Sequence, residues 1–146
     1  MRRIFRSVTG LSNEVREALT AGELGHLVTI NPDGSPQVSV VWIGVQGEDI
    51  VVGHLGSGRK IANIRRDPRV ALTVEVAGAN SVGMRNYLVV HGSAHLVEGG
   101  APELLQELSQ TYVGPGTRFP AMDEPPAGHV IHITAERIGG LGPWAS

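Results

Sequence analysis

The stretch Asp49-Ile50-Val51-Val52-Gly53-His54-Leu55-Gly56-Ser57-Gly58-Arg59-Lys60 runs on through Ile61-Ala62-Asn63-Ile64-Arg65-Arg66-Asp67-Pro68 and holds the only lysine of the chain. Its first six residues read as a strand, and residues 55–58 form a glycine-punctuated turn with one hydroxyl. A short helix-like run follows, and Asp67-Pro68 stops it because the residue before proline is disfavoured in α. A strand, a small-residue turn and a helix start carrying Arg59 and Lys60 are the parts of a phosphate cradle. Free backbone N–H groups and the positive end of the helix dipole both favour an anion there. Arg59 would supply a planar two-pronged contact, Lys60 a point charge, with Ser57 and Gly58 in support. The spacing is neither the nucleotide loop GxxxxGK(S/T) nor the dinucleotide fingerprint GxGxxG. The same residues also read as a solvated basic turn.

Outward from that segment, the pattern is of short strands. Residues 23–30 alternate loosely, and Asn31-Pro32-Asp33-Gly34 is a strong turn. Residues 36–44 place Val38, Val40 and Trp42 on one face against Gln37, Ser39, Val41 and Ile43. A second hairpin connection over 44–49 leads to the strand 50–54, so the three strands read as an antiparallel meander. Residues 69–76 form a clean alternating strand, and 86–98 another, with Gly92 marking a bulge or bend. A last strand spans 129–138. Ser12 caps a first helix over 13–21 that Gly22 ends, and residues 102–111 form a helix with Leu104, Leu105 and Leu108 inward. The Pro/Gly-rich segment 112–128 is long for a compact domain and is a candidate site or interface segment. The chain reads as mainly β with short helices, about six strands in one antiparallel barrel. It is a single domain over 1–146: a first helix near 12–21, a barrel near 23–138 and a tail over 139–146.

Composition narrows the function classes. A net charge of -2 argues against bulk binding to nucleic acid or acidic membranes. Zero cysteines exclude disulfides, thiolate catalysis and cysteine-based metal sites. The basic start Met1-Arg2-Arg3-Ile4-Phe5-Arg6 is followed by no apolar signal core, and no apolar run nears a membrane span, so a cytoplasmic location is expected. The six histidines, His26, His54, His91, His95, His129 and His132, are scattered over strand positions. His129 and His132, three apart, face opposite sides of a strand, and no metal site is expected.

Three segments in order carry a resemblance. Residues 27–42, with Asn31-Pro32-Asp33-Gly34-Ser35-Pro36 at their turn, are similar to a TxxxDGxPxxxPV-like opening hairpin. Residues 59–71 resemble a K-x-x-N-(I/L)-x-x-(D/N)-P-R-V segment, and residues 87–94 a later strand ending G-x-A. This set resembles the split β-barrel flavin-binding superfamily, the pyridoxamine-phosphate-oxidase-like proteins, over roughly residues 12–138. The run Asn63-Ile64-Arg65-Arg66-Asp67-Pro68-Arg69 after the lysine is most similar to the actinobacterial branch that uses the deazaflavin coenzyme F-420.

The resemblance implies a six-stranded antiparallel split β-barrel acting as a homodimer, with two cofactor sites at the subunit interface. It implies that the helix start at Lys60, supported by Arg59 and Ser57, holds the cofactor phosphate, with Leu55, Gly58 and Asn63 also in the cofactor-binding set. It places Gln37, Ser39, Val40, Val41 and Trp42 beside the ring system, with the tail of the partner subunit, around Trp144, as a cover for it. The activity implied is an F-420-dependent reductase passing hydride to a small unsaturated acceptor. The alternatives are an FMN-dependent oxidoreductase of the same fold and a non-catalytic flavin- or deazaflavin-binding protein. Where the oxidases proper end in Arg-x-x-Pro, this chain reads Leu141-Gly142-Pro143-Trp144-Ala145-Ser146, away from vitamin B6 oxidation. No residue stands out as an obligatory acid or base, so the catalytic residues are unknown; Tyr87, Tyr112 and His91 are candidates.

Overall fold

The computed structural model describes residues 5–79 and 83–145. Residues 1–4 of the basic start, residues 80–82 and Ser146 of the tail lie outside that range. In chain order the elements are β1 (Phe5–Ser7), α1 (Asn13–Thr20), β2 (Gly25–Ile30), β3 (Pro36–Val41), β4 (Gly44–Gln46), β5 (Asp49–His54), α2 (Arg59–Arg66), β6 (Arg69–Ala79), β7 (Arg85–Glu98), α3 (Ala101–Tyr112) and β8 (His129–Leu141). The strands form one antiparallel sheet in the order β3-β2-β6-β7-β8-β5-β4, with β1 joined to the far half of β8. The sheet is a split barrel, mainly β with three short helices.

All six expected strands are present, and two more bring the count among the described residues to eight. The extra pair, β1 and β4, have three residues each, too few to show an alternating pattern. The expected meander is corrected as well. β5 pairs with β4 and β8, not with β3, which among the described residues pairs with β2 alone. The cause lies at Trp42-Ile43: the Ile43 N–H donates to the Tyr112 hydroxyl at 2.9 Å, so the β2–β3 ladder ends and the chain passes to the opposite end of the strand order as β4. The expected hairpin connection over 44–49 shrinks to Gly47-Glu48, because β4 takes up its first half.

The inner faces of the strands and the apolar face of α1 make the core. Leu27, Ile43, Ile50, Ile61, Leu72, Leu88, Ile131 and Ile133 are each no more than 1% exposed, joined by Val15 and Leu19. Ser12 caps α1 by accepting the Val15 N–H, and Gly22 follows at φ +82. A smaller apolar cluster, Val51, Leu104 and Val130, seats α3 on the outer face of β5 and β8. Gly92 marks a break in register against β8, and a Cβ there would lie 2.1 Å from the Thr134 carbonyl oxygen. The expected bend is therefore a bulge that only glycine fits.

The tail is not free. β8 runs on to Leu141, and Trp144 is 3% exposed, its indole N–H donating to the Tyr87 carbonyl at 3.1 Å. The Trp144 ring is core, packed over Gly142.

Candidate functional site

The turn between β5 and α2 opens onto a cleft of about 370 Å³. Its walls come from four parts of the chain: Val40, Val41 and Trp42 at the end of β3, Gly53 to Gly56 and Lys60 around the turn, Leu105 of α3, and Phe119 of the long loop. Trp42 stacks on Tyr112 with ring centroids 5.4 Å apart and planes 8° from parallel, and Phe119 leans against Trp42 with centroids 5.0 Å apart at 54°. The loop return is pinned by Gly128 at φ +61, where a Cβ would sit 2.2 Å from the His54 carbonyl oxygen.

Lys60 dominates the electrostatics. The residue is 9% exposed, and no ion pair or side-chain hydrogen bond reaches it among the described residues. Burial pushes its ammonium below the usual lysine range. A buried cation without a partner is unfavourable, and the cleft offers a place for the anion that would relieve it. Helix α2 begins at Gly58 with no side-chain cap, so its first N–H groups are uncommitted beside that cation. A Cβ on Gly56 would meet nothing within 4 Å, and one on Gly58 only His54 Nε2 at 3.7 Å. The protein's own packing does not require glycine at these two places. Bare backbone there keeps space open for a ligand, so the turn fits a phosphate group.

His54 shares the cleft. Burial first, then the charge of Lys60, then His129 hold its imidazole below the usual histidine range. Its partner in the ladder is His129. Sequence reasoning missed His54 and Phe119 as cleft residues. His54 sits one residue before the glycine turn, and that adjacency was its one signal.

The structure brings Val40, Val41, Trp42, Leu55 and Lys60 together in the cleft lining, whereas Ser57, Gly58 and Arg59 are exposed and outside that lining. Other expected members lie elsewhere. Asn63 is 1% exposed, and its amide donates to Thr29 Oγ1 and Asn31 Oδ1 at 3.0 Å each, while its oxygen accepts from Arg66. Asn63 locks α2 to the β2–β3 turn and has no donor left for a cofactor. Gln37 is half-buried and accepts from Thr29 at 3.0 Å. Ser39 faces inward, with its hydroxyl oxygen buried and unpartnered. Trp144 belongs to the core.

Of the candidate acids and bases, Tyr112 is committed: its hydroxyl accepts from the Ile43 N–H and lies 3.2 Å from the Glu23 carbonyl oxygen. Burial raises its pKa further. His91 lines a larger and separate hollow of about 670 Å³ between β2, β6, β7 and β8, with Arg69, Glu136 and Arg137. That hollow lacks the buried unpaired charge and the helix start, so the smaller cleft is the better candidate. Tyr87 is 40% exposed and serves Trp144 through its carbonyl.

No helix among the described residues is long and apolar enough to cross a membrane. No curated protein matches the chain. Among solved structures, one described as an F420 reductase is 27% identical, with a TM-score of 0.70, covering 88% of this chain and 98% of that one. A conserved hypothetical protein from Mycobacterium tuberculosis, Rv2991, is 26% identical at a TM-score of 0.68, covering 93% and 88%. A heme binding protein from Mycobacterium smegmatis, 19% identical at a TM-score of 0.62, covers 93% of this chain and 57% of its own and shares the fold. The sequence profile described as Pyridoxamine 5'-phosphate oxidase matches residues 11–142, nearly the whole chain, and with the split barrel around it this chain belongs to that family.

Proposed function

We propose that the chain is an oxidoreductase that binds coenzyme F-420 at the Lys60 cleft and reduces a small unsaturated organic acceptor. The observation that carries this reading is Lys60 itself, a buried cation with no partner among the described residues, at the start of an uncapped helix. The likeness to an F420 reductase over most of both chains supports deazaflavin over FMN. Bound there, the coenzyme would supply hydride chemistry, and the protein supplies the rest.

The roles of the residues follow from their chemistry. Lys60 holds the phosphate as a point charge, Arg59 and Ser57 meet it from the rim, and the N–H groups after Gly58 complete the cradle. Trp42, backed by Tyr112, gives the cleft a flat apolar wall, and Phe119 with Leu105 limits water. His54 is neutral at pH 7 and can donate or accept one hydrogen bond there.

A cleft of about 370 Å³ is near the small end for a ligand of this kind. A homodimer would enlarge it. Val38 and Val40 of the edge strand are 59% and 58% exposed, and Val40 also lines the cleft, so a second copy seated on that strand would approach the site. Titration of the apo-protein with F-420 and with FMN, followed by fluorescence, tests the cofactor. Tighter binding of F-420 is expected. A preference for FMN of about tenfold, 1.4 kcal/mol, would move the chain to FMN chemistry. Turnover of an enone with reduced F-420 is the expected activity; binding without turnover of any enone would reduce the protein to a cofactor carrier.

A further inference from the structure

We propose that Asp49, His95 and His132 form a binding site for a divalent transition-metal ion of the zinc type, on the outer face of the sheet. Three strands deliver the three ligands. His95 of β7 and His132 of β8 are direct cross-strand partners. His132 is also opposite Val51 of β5, and Asp49, two residues before Val51, therefore points to the same face. One ligand atom from each residue lies within 4.8 Å of the other two. His132 Nδ1 is 3.0 Å from Asp49 Oδ2, and the two imidazoles stack with centroids 5.1 Å apart at 19°.

The donor set is one such ions select: two imidazole nitrogens and one carboxylate oxygen. In a tetrahedral zinc site, bonds of about 2.0–2.2 Å put neighbouring ligand atoms roughly 3.4 Å apart, which these side chains reach by rotation about their χ angles. Partial burial favours binding: the side chains of His132 and Asp49 are 17% and 31% exposed, which lowers the competition from water. His95 is exposed, leaving an entry path and a fourth position for water. Without metal, Asp49 and His132 satisfy each other; with it, the same pair turns toward the ion. The site is distinct from the cofactor cleft. Asp49 and His54 are at opposite ends of β5, about 17 Å apart at roughly 3.3 Å per residue. His95 and His132 meet because cross-strand register, invisible in sequence, pairs residues 37 positions apart.

Calorimetric titration of the tag-free protein with Zn²⁺, and the visible spectrum of the Co²⁺-loaded protein, test the proposal. One ion per chain is expected, with the intense visible bands of four-coordinate cobalt. His95→Ala, His132→Ala and Asp49→Asn should each weaken binding by about 10- to 100-fold or more. His26→Ala, at an exposed histidine outside the cluster, should leave it unchanged. Each variant is to be melted first, and the metal should raise the melting temperature of the wild type and of His26→Ala alone. Equal Zn²⁺ affinity for wild type and folded His95→Ala, or binding lost with His26, would overturn the site. F-420 affinity should be the same in His95→Ala as in wild type, so failure here leaves the cofactor reading standing.

Discussion

Lys60 and His54 face the same cleft with no carboxylate between them, and after burial the Lys60 charge is the main reason the His54 imidazole stays neutral. A base whose folded-state pKa is below its ordinary 6.5 binds its proton more readily when unfolded. Its contribution to stability is therefore complete above pH 6.5 and is lost as the pH falls from there through the lowered value. His91, lowered by burial and then by Arg137, acts in the same sense. NMR titration should give His54 a pKa below 6.5, rising in Lys60→Met but not to the free value, since burial remains. An unchanged His54 titration in that variant would show that the two groups do not share a cleft.

The two tryptophans separate site from scaffold. Trp42 lines the cleft, whereas Trp144 is 3% exposed in the core. Quenching of tryptophan emission by the bound coenzyme should survive Trp144→Phe and disappear in Trp42→Phe. Trp144→Ala should cost about 3–5 kcal/mol of stability in urea denaturation, as large core deletions do. Quenching that followed Trp144 instead would return the tail to the binding site.

Asn63 predicts the opposite profile to a cofactor ligand. Asn63→Ala strands Thr29 and Asn31 without their buried donor, at about 1–3 kcal/mol. Urea midpoints should fall accordingly, while the coenzyme dissociation constant of the folded variant stays at the wild-type value. A loss of affinity without a loss of stability would restore Asn63 to the site.

The dimer is tested on the outer face of the edge strand. Val38 is 59% exposed and opposite Val28 of β2, outside the cleft lining. Light scattering should show a dimer at micromolar concentration for the wild type. Val38→Glu should give a folded monomer with weakened coenzyme binding. A wild-type monomer that binds the coenzyme fully would rule out a shared site.

Legibility in the sequence followed the range of the interactions. Val70, Leu72, Val74 and Val76 alternate with solvent-facing neighbours, so β6 could be read directly; Ser12, Gly22 and Pro68 marked helix ends through local chemistry. Lys60 was legible because a lone lysine beside two glycines is a local pattern. Strand pairing was not, because the break at Ile43 depends on Tyr112, 69 residues later. The motif around Asn63 resembled a binding segment, yet its amide is used by Thr29 and Asn31 across the β2–β3 turn. Burial of Trp144 likewise needs the Tyr87 carbonyl, 57 residues away.

The most direct test of the account pairs two readings on one variant, Lys60→Met. The lysine is buried without a partner among the described residues, so removing its charge should stabilise the apo-protein, raising its melting temperature by roughly 2–4 °C for each kcal/mol regained. The same change removes a charge-assisted contact of about 1.5–3 kcal/mol, so F-420 should bind about 10- to 100-fold more weakly. A higher apo melting temperature with weakened F-420 binding is the predicted result. Unchanged F-420 affinity in the folded variant would contradict the claim that Lys60 is the cofactor's anion site.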